Sequence, residues 1–406
     1  MATFTFRCSE CGARYGEREV RYVCPRCAAH QEPGGATRGV LEVVLDRRPP
    51  LPTPPANDPA ALAALLPIAS PAPLPPLPVG GTPLLPVPRL RRLLGMPRLW
   101  VKDDTRNPSG STKDRASQLV VAKAVEYGYG TVACASTGNA ATALACMAAA
   151  AGVRAVVFVP AAAPPAKLVQ IAAYGATLVP VEGTYDDAFE LCALACERFG
   201  WYNRNTAYNP FTIEGKKTAG VEIAAQLHPE RADVVVVPVG DGVIVSGVAK
   251  GLAEVLAAPP RLLAVQPEGS SAIVRALAAG SDTVVPARGA ASVADSLVVD
   301  APRNARMALA AVRAGGGAGV AVPDAAIIAA IARLSGTAGV FAEPAAAAAL
   351  AGLQAALEAG LVGREECTVL LATGSGLKDI AAARRAVAMP APVAADLDAV
   401  ARLVAP

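Results

Sequence analysis

From residue 80 onward the chain alternates short Val-rich runs with longer alanine-rich ones, and this alternation leaves few folds open to it. The runs at 99–102, 131–135, 155–159, 177–181, 234–239, 262–266 and 368–372 are largely apolar rather than alternating with polar residues, so strands formed there are expected to be buried on both sides. Helical patterns follow most of them, at 113–127, 140–151, 165–174, 186–199, 218–227, 325–334 and 344–359. Continuous strands interleaved with helices give an α/β class with a parallel sheet covered on both faces. Hydrophobic residues make up 53% of the 406 positions but aromatics only 4%, so the core is built from small side chains. A chain of this length exceeds what one core usually organises.

Several function classes drop out at this level. The sequence has no uninterrupted apolar stretch of about 18 residues and begins without a signal-like segment, which argues against membrane spanning and export. The 37 basic residues against 34 acidic ones form no concentrated block of the kind that tracks a nucleic-acid backbone.

Residues 8–27 hold two C-x-x-C pairs, Cys8/Cys11 and Cys24/Cys27, twelve residues apart. Each pair makes a knuckle that brings two thiolates to one ion, and two knuckles close the tetrahedral shell of a structural zinc. Unligated cysteines, or another soft metal, are the plainer alternatives. The surrounding arginines are interspersed with Glu10, Glu17 and Glu19, which disfavours a nucleic-acid adaptor built on such a ribbon. The other five cysteines, Cys134, Cys146, Cys192, Cys196 and Cys367, lie in apolar surroundings, a cytoplasmic pattern. Twelve prolines then fall between residues 49 and 78, and this stretch is expected to run extended over the surface without a helix. The domain reading is a zinc ribbon at 1–45, a proline-rich connector at 46–79 and a catalytic unit at 80–406, with a smaller lobe near 120–205 inserted in the larger.

In open parallel sheets, ligands gather beyond the carboxyl ends of the strands. Four loops stand there. The 107–115 loop (NPSGSTKDR) leads small polar residues into a helix that starts near Lys113. Ser136, Thr137, Gly138 and Asn139 open a helix whose first turns carry no charge, which suits a carboxylate. The loop bearing Gly240, Asp241, Gly242, Val243, Ile244 and Ser246 could cradle a phosphate, and the 373–379 loop offers Thr373 and Ser375 to a ring nitrogen. Singly, each reads as an ordinary capping or glycine turn; together they are the parts of a lysine-bound pyridoxal-phosphate site.

With these landmarks, and with Gly81-Thr82-Pro83-Leu84, Asn209-Pro210, Lys217-Thr218 and Glu343-Pro344 in order, the catalytic region resembles threonine synthase and the wider fold-type II pyridoxal-phosphate enzymes. The ribbon resembles an attachment of some such chains. The resemblance implies that Lys113 carries the cofactor as a Schiff base and shuttles the substrate's α proton. Asn139 would meet the cofactor's phenolic oxygen, the 240–246 loop its phosphate, and Thr373, or else Ser375, its pyridine nitrogen. Ser136, Thr137 and Gly138 would take the α-carboxylate of a small amino-acid substrate. A homodimer and a lyase reaction are implied too.

The chain also departs from the family pattern. Where threonine synthases carry Asn-Ser-x-Asn-Pro-x-Arg, residues 206–212 read Thr-Ala-Tyr-Asn-Pro-Phe-Thr, so a hydroxyl and a guanidinium for substrate phosphate are replaced at Ala207 and Thr212. Thr112 replaces the usual aromatic before the lysine, and Val243 a glycine. Arg115, Arg204, Lys216 and Lys217 could compensate for the lost contacts but read more plainly as surface charges, and Glu343, a further site candidate, reads more plainly as a helix-entry acid. Formation of threonine from O-phosphohomoserine is the first reading. Cysteate synthase-like β-replacement, serine or threonine deamination, and a non-catalytic regulatory or adaptor protein remain as alternatives.

Overall fold

Strands without a polar face need cover on both sides, and here they receive it. The computed structural model describes residues 4–32, 34–54 and 58–404; residues 1–3 and 33 of the ribbon segment, 55–57 of the connector and 405–406 of the catalytic region lie outside the described residues. In chain order the strands are β1 (Phe4–Cys8), β2 (Arg14–Gly16), β3 (Leu41–Leu45), β4 (Leu84–Leu85), β5 (Leu99–Asp103), β6 (Thr131–Ala135), β7 (Arg154–Pro160), β8 (Thr177–Val181), β9 (Tyr202–Asn203), β10 (Val234–Pro238), β11 (Arg261–Pro267), β12 (Ala318–Val322) and β13 (Thr368–Ala372). They form three sheets: antiparallel β2-β1-β3, a six-stranded β12-β11-β10-β13-β5-β4, and a four-stranded β8-β7-β6-β9. Both larger sheets are parallel except for the antiparallel edge β4.

Alternate residues of the six-stranded sheet enter different cores. Val234, Val236, Leu263 and Val265 pack with the Pro344–Glu358 helix, while Val235, Val237, Leu262 and Ala264 pack with the Phe211–Leu227 and Val243–Val255 helices. The Phe211–Leu227 helix begins seven residues before the sequence pattern suggested, because its glycines serve close packing rather than helix termination. A Cβ on Gly215 would stand 2.2 Å from the Arg115 carbonyl, and one on Gly220 2.3 Å from that of Val248. Strand β12, Ala-Gly-Val-Ala-Val, was not anticipated, since its small residues give little apolar signal. No helix among the described residues is long and apolar enough to cross a membrane.

The proline-rich stretch does contain a helix, contrary to expectation. Pro59 stands in its first turn, where no backbone donor is needed, and Asp58 caps it by accepting from the Ala60 and Ala61 amides. Leu62, Leu65, Leu66, Ile68, Leu74 and Val79 are buried in the core shared by the first sheet and the smaller lobe, so this segment is a packed strap. The first sheet docks through Phe4 and Phe6 against Phe211, with centroids 5.9 and 5.8 Å apart, and through Glu17, which accepts from Lys123 and Tyr127.

Four of the cations taken for surface charges are instead buried, each at most 1% exposed. Arg115 donates to Asp104 and Glu222, and Glu222 also pairs with Lys102 at 2.6 Å. Thr82 and the Gly81 amide complete the cluster, which explains the Gly81-Thr82 landmark. Burial alone would raise the Asp104 carboxyl, but the Arg115 guanidinium outweighs it and holds it at about 2. Lys217 and Lys250 form a second such quartet with Glu214 and Glu254. Removing one partner of a buried pair strands the other, so Glu222→Gln should cost about 3–5 kcal/mol in urea unfolding; a loss below about 1 kcal/mol would contradict the cluster's role.

Candidate active site

Three of the four loops leave parallel strands of one sheet, β5, β10 and β13, and the fourth, after β6 of the other sheet, reaches them through Asn139 and Glu343. Lys113 opens its helix, Lys113–Glu126, after the 3-10 turn Asp104–Arg106 that leaves β5. Its loop is tied to the one after β13: the Thr112 amide donates to the Thr373 carbonyl at 2.8 Å and the Ser375 amide to that of Gly110 at 2.9 Å. Gly110, at φ 87°, permits this approach, since a Cβ there would press to 3.2 Å from Lys378. Thr373 is buried, and the Ser375 hydroxyl accepts from the Leu377 amide.

The Lys113 ammonium is half-buried and makes no hydrogen bond or ion pair among the described residues. Burial pushes it below the usual lysine value; Glu343 and Asp241 oppose that shift and Arg204 adds to it. A lowered pKa favours the free amine, the form needed for nucleophilic and basic work.

Glu343 does not act as a helix-entry acid. It is the N-cap residue of the Pro344–Glu358 helix but its side chain caps nothing; instead both oxygens accept from Asn139 Nδ2, at 2.9 and 3.0 Å. A Cβ on residue 374 would collide with it at 2.3 Å, so Gly374 is required for this carboxyl to sit between the lobes. Burial raises its pKa, and the Asn139 bond and Lys113 offset only part of that. The signal that could have found it was the Gly374–Glu343 proximity, which no local sequence pattern encodes.

Ser136, Thr137 and Gly138 leave β6 half-exposed and lead into the Asn139–Ala151 helix, whose first turn has no acidic residue. Thr137, Gly138, Asn139, Glu343 and Lys378 line a cleft of about 370 Å³. In the loop after β10, Gly242 at φ 89° is the N-cap of the Val243–Val255 helix, and a Cβ there would meet Ala308 at 2.7 Å. Asn304 holds this turn by donating to Ser246 Oγ at 2.9 Å, and the Asp241 carboxylate accepts from the Arg303 amide. The opening amides of that helix, at Val243, Ile244 and Val245, face out of the turn's own bonding as helix starts do. Gly240 packs against Leu297, where a Cβ would stand at 3.2 Å.

Away from this cleft, the sulfurs of Cys8, Cys11, Cys24 and Cys27 lie within 4.8 Å of one another. The Cys8–Cys27 and Cys11–Cys24 separations are 3.8 and 3.7 Å. Four ligands about 2.3 Å from one ion at tetrahedral angles stand about 3.8 Å apart. The Tyr15 hydroxyl lies 3.0 Å from Cys24 Sγ, as an outer partner of a thiolate would. The other five cysteines are buried and unpaired.

Comparison with known proteins gives a consistent picture. Residues 76–374 match the family described as pyridoxal-phosphate dependent enzyme. A threonine synthase of Methanosarcina acetivorans is 36% identical over 410 aligned positions, covering 98% of each chain. That of Methanocaldococcus jannaschii is 33% identical, again over 98% of both. Among solved structures, a threonine deaminase from T.th. matches with a TM-score of 0.63 at 28% identity, over 72% of this chain and 92% of that one.

Beside the lysine, burial lifts the Asp114 carboxyl from 3.8 to about 6, against the opposing Ser109 hydrogen bonds and the more distant Lys378. A raised folded value means stability that is present below the unfolded pKa and lost as pH rises through the folded one. The stability difference between wild type and Asp114→Asn should therefore shift against the wild type by roughly 2–3 kcal/mol between pH 4 and pH 7. Parallel denaturant titrations at the two pH values would show it; a constant difference would refute it.

Proposed function

The chain belongs to the pyridoxal-phosphate dependent enzymes and, within them, to the threonine synthase family, and from that premise we propose that it forms threonine and phosphate from O-phosphohomoserine and water. The observation that supports the reading is that the loops bearing a partnerless lysine, a carboxylate-type helix start and a buried hydroxyl are tied together, Thr112 to Thr373, Ser375 to Gly110 and Asn139 to Glu343, with Asp241 of the glycine turn near enough to act on the charge of Lys113.

The residues fit the cofactor. The 240–246 turn would hold its phosphate on the helix-start amides, with Ser246 fixed by Asn304. Asn139, held by Glu343, would present its amide to the ring's phenolic oxygen. Thr373, with Ser375 as the alternative, would face the ring nitrogen, and a neutral hydroxyl leaves that nitrogen less firmly protonated than a carboxylate would. When bound, the cofactor supplies an electron sink conjugated to the substrate's α carbon.

The chain's own residues do the rest. Lys113 would hold the cofactor and, once displaced by the substrate's own amine, would take the proton from the α carbon; burial lowers its pKa and so favours the free amine. Ser136, Thr137 and the amides that start the Asn139–Ala151 helix would orient the α-carboxylate, and with it the α proton toward Lys113. Serine or threonine deamination and cysteate synthase-like replacement use the same lysine and stand as the second reading, favoured by Ala207 and Thr212, which lack phosphate-binding groups.

The four cysteine sulfurs would hold a structural zinc, for which their mutual approach within 4.8 Å is the support. The reading extends to a homodimer and a cytoplasmic location, supported by family resemblance and by cysteine usage.

Two experiments test these assignments. Lys113→Ala should fold, because the ammonium has no partner to strand, and should lose cofactor absorbance and at least about 10³-fold in phosphate release from O-phosphohomoserine. Retained turnover would remove Lys113 from the chemistry; an active wild type that ignores O-phosphohomoserine but deaminates serine would favour the second reading. For the metal, elemental analysis should give one zinc per chain, and Cys24→Ser should lower it together with the melting temperature. Full metal content in that variant would contradict the four-cysteine site.

A further inference from the structure

The cations near the catalytic loops fall into two groups. Arg115, Lys102, Lys217 and Lys250 are all paired with carboxylates, and Lys378 donates to Gln170 at 2.7 Å. Lys216 and Arg204 are not. Lys216 is 1% exposed and its Nζ has no partner; Arg204 is fully buried, and while Nε and Nη1 donate to Ser117 and Thr206, its Nη2 has none. Burial drives Lys216 well below the usual lysine value, and the charges of Lys113 and Arg204 add to the fall while Asp241 opposes it, so the basic groups lie close enough to act on one another. A buried, unpaired charge costs several kcal/mol, and like charges in company cost more.

The positions where the family pattern places phosphate contacts are closed here. Ala207 is fully buried at φ 63° and packs its methyl with Val40, Ile213 and Val243. Thr212 donates its hydroxyl to the Asn209 carbonyl at 2.7 Å and accepts from the Ala207 amide. Lys216 stands four residues after Thr212, one turn along the same face of the Phe211–Leu227 helix, with a longer side chain. Arg204 follows β9, its amide bonded to the Ala133 carbonyl of β6, the strand that leads to Ser136–Gly138.

We propose that Lys216 and Arg204 form a receptor for a phosphate monoester dianion, and that the anion it serves is the substrate's leaving phosphate. A monoester carries about −1.5 to −2 at neutral pH, which two cations match, and a guanidinium edge with an ammonium gives both directional and point-charge contact. The cofactor's phosphate has the Val243–Val255 helix start for itself, whereas no other partnerless cation pair awaits a second phosphate among the described residues. Neither nitrogen touches solvent, so an anion held there is shielded from water.

The proposal rests on the phosphorylated-substrate reading, and its test separates the two. In holoenzyme, Lys216→Met removes an ammonium without stranding a partner, so it should fold with an undiminished melting temperature. Its affinity for inorganic phosphate, titrated calorimetrically, should fall at least about tenfold, and kcat/KM for O-phosphohomoserine by a similar factor or more, with cofactor affinity unchanged. Lys216→Arg should restore part of the phosphate affinity. If Lys216→Met sheds cofactor while phosphate binding to the reconstituted enzyme is unaltered, the pair serves the cofactor and the substrate assignment falls. If neither changes, or only the melting temperature drops, the receptor is refuted. A wild type inert toward O-phosphohomoserine would sink the functional reading, yet weakened phosphate binding in the variant would still establish the anion receptor.

Discussion

A guanidinium cut off from water has to be neutralised where it stands, and the position of Arg115 decides much of this molecule. Its five donors reach Asp104 beyond β5 and Glu222 and Thr218 on the Phe211–Leu227 helix. Arg115 is two residues from Lys113, so the start of the lysine's helix is pinned to the larger sheet and to the neighbouring helix at once. The geometry is bidentate on both carboxylates, which fixes orientation as well as distance. A flexible surface lysine thus becomes an amine at a defined place.

That pinning works only because the helices approach closely. Gly215 lets the Phe211–Leu227 helix rest on the Arg115 carbonyl, and Gly251 does the same for the Val243–Val255 helix, where a Cβ would stand 2.0 Å from the Lys217 carbonyl. The cysteine-bearing sheet bears on the same elements. Phe4 and Phe6 pack on Phe211, and Val40 packs with Ala207, Ile213 and Val243, the first residue of the helix that faces the phosphate turn. The first sheet therefore buttresses the 202–213 segment and the start of the Val243–Val255 helix, giving it a structural link to the candidate site.

Much of the fold was legible because doubly buried strands read as continuous apolar runs. All seven anticipated runs are strands, within a residue or so of their expected ends. What escaped was signalled weakly or at a distance. Strand β12 is small and glycine-bearing, β9 has two residues, and the Pro59 helix hides among prolines that block helices only in their interiors. At the site, the loops were legible as short motifs, whereas the role of Glu343 depends on Asn139, 204 residues away. The buried cations were misread for the same reason: formal charge in a sequence says nothing about whether two carboxylates wait across a helix interface.

The buried charges also follow a pattern by location. Lys102 and Arg115 meet Asp104 and Glu222, and Lys217 and Lys250 meet Glu214 and Glu254, so each quartet sums to zero. Where the catalytic loops converge the balance fails: Lys113, Arg204 and Lys216 are answered by Asp241 and by Glu343, whose raised pKa weakens it as a counter-charge. Interior cations are matched one for one by carboxylates in the two quartets, whereas near the catalytic loops three basic side chains meet two acidic ones. Such an imbalance lowers fold stability locally, and under the proposed reading its field would favour an anionic ligand beside Lys113. A low-dielectric site holds that field at full strength once water is excluded.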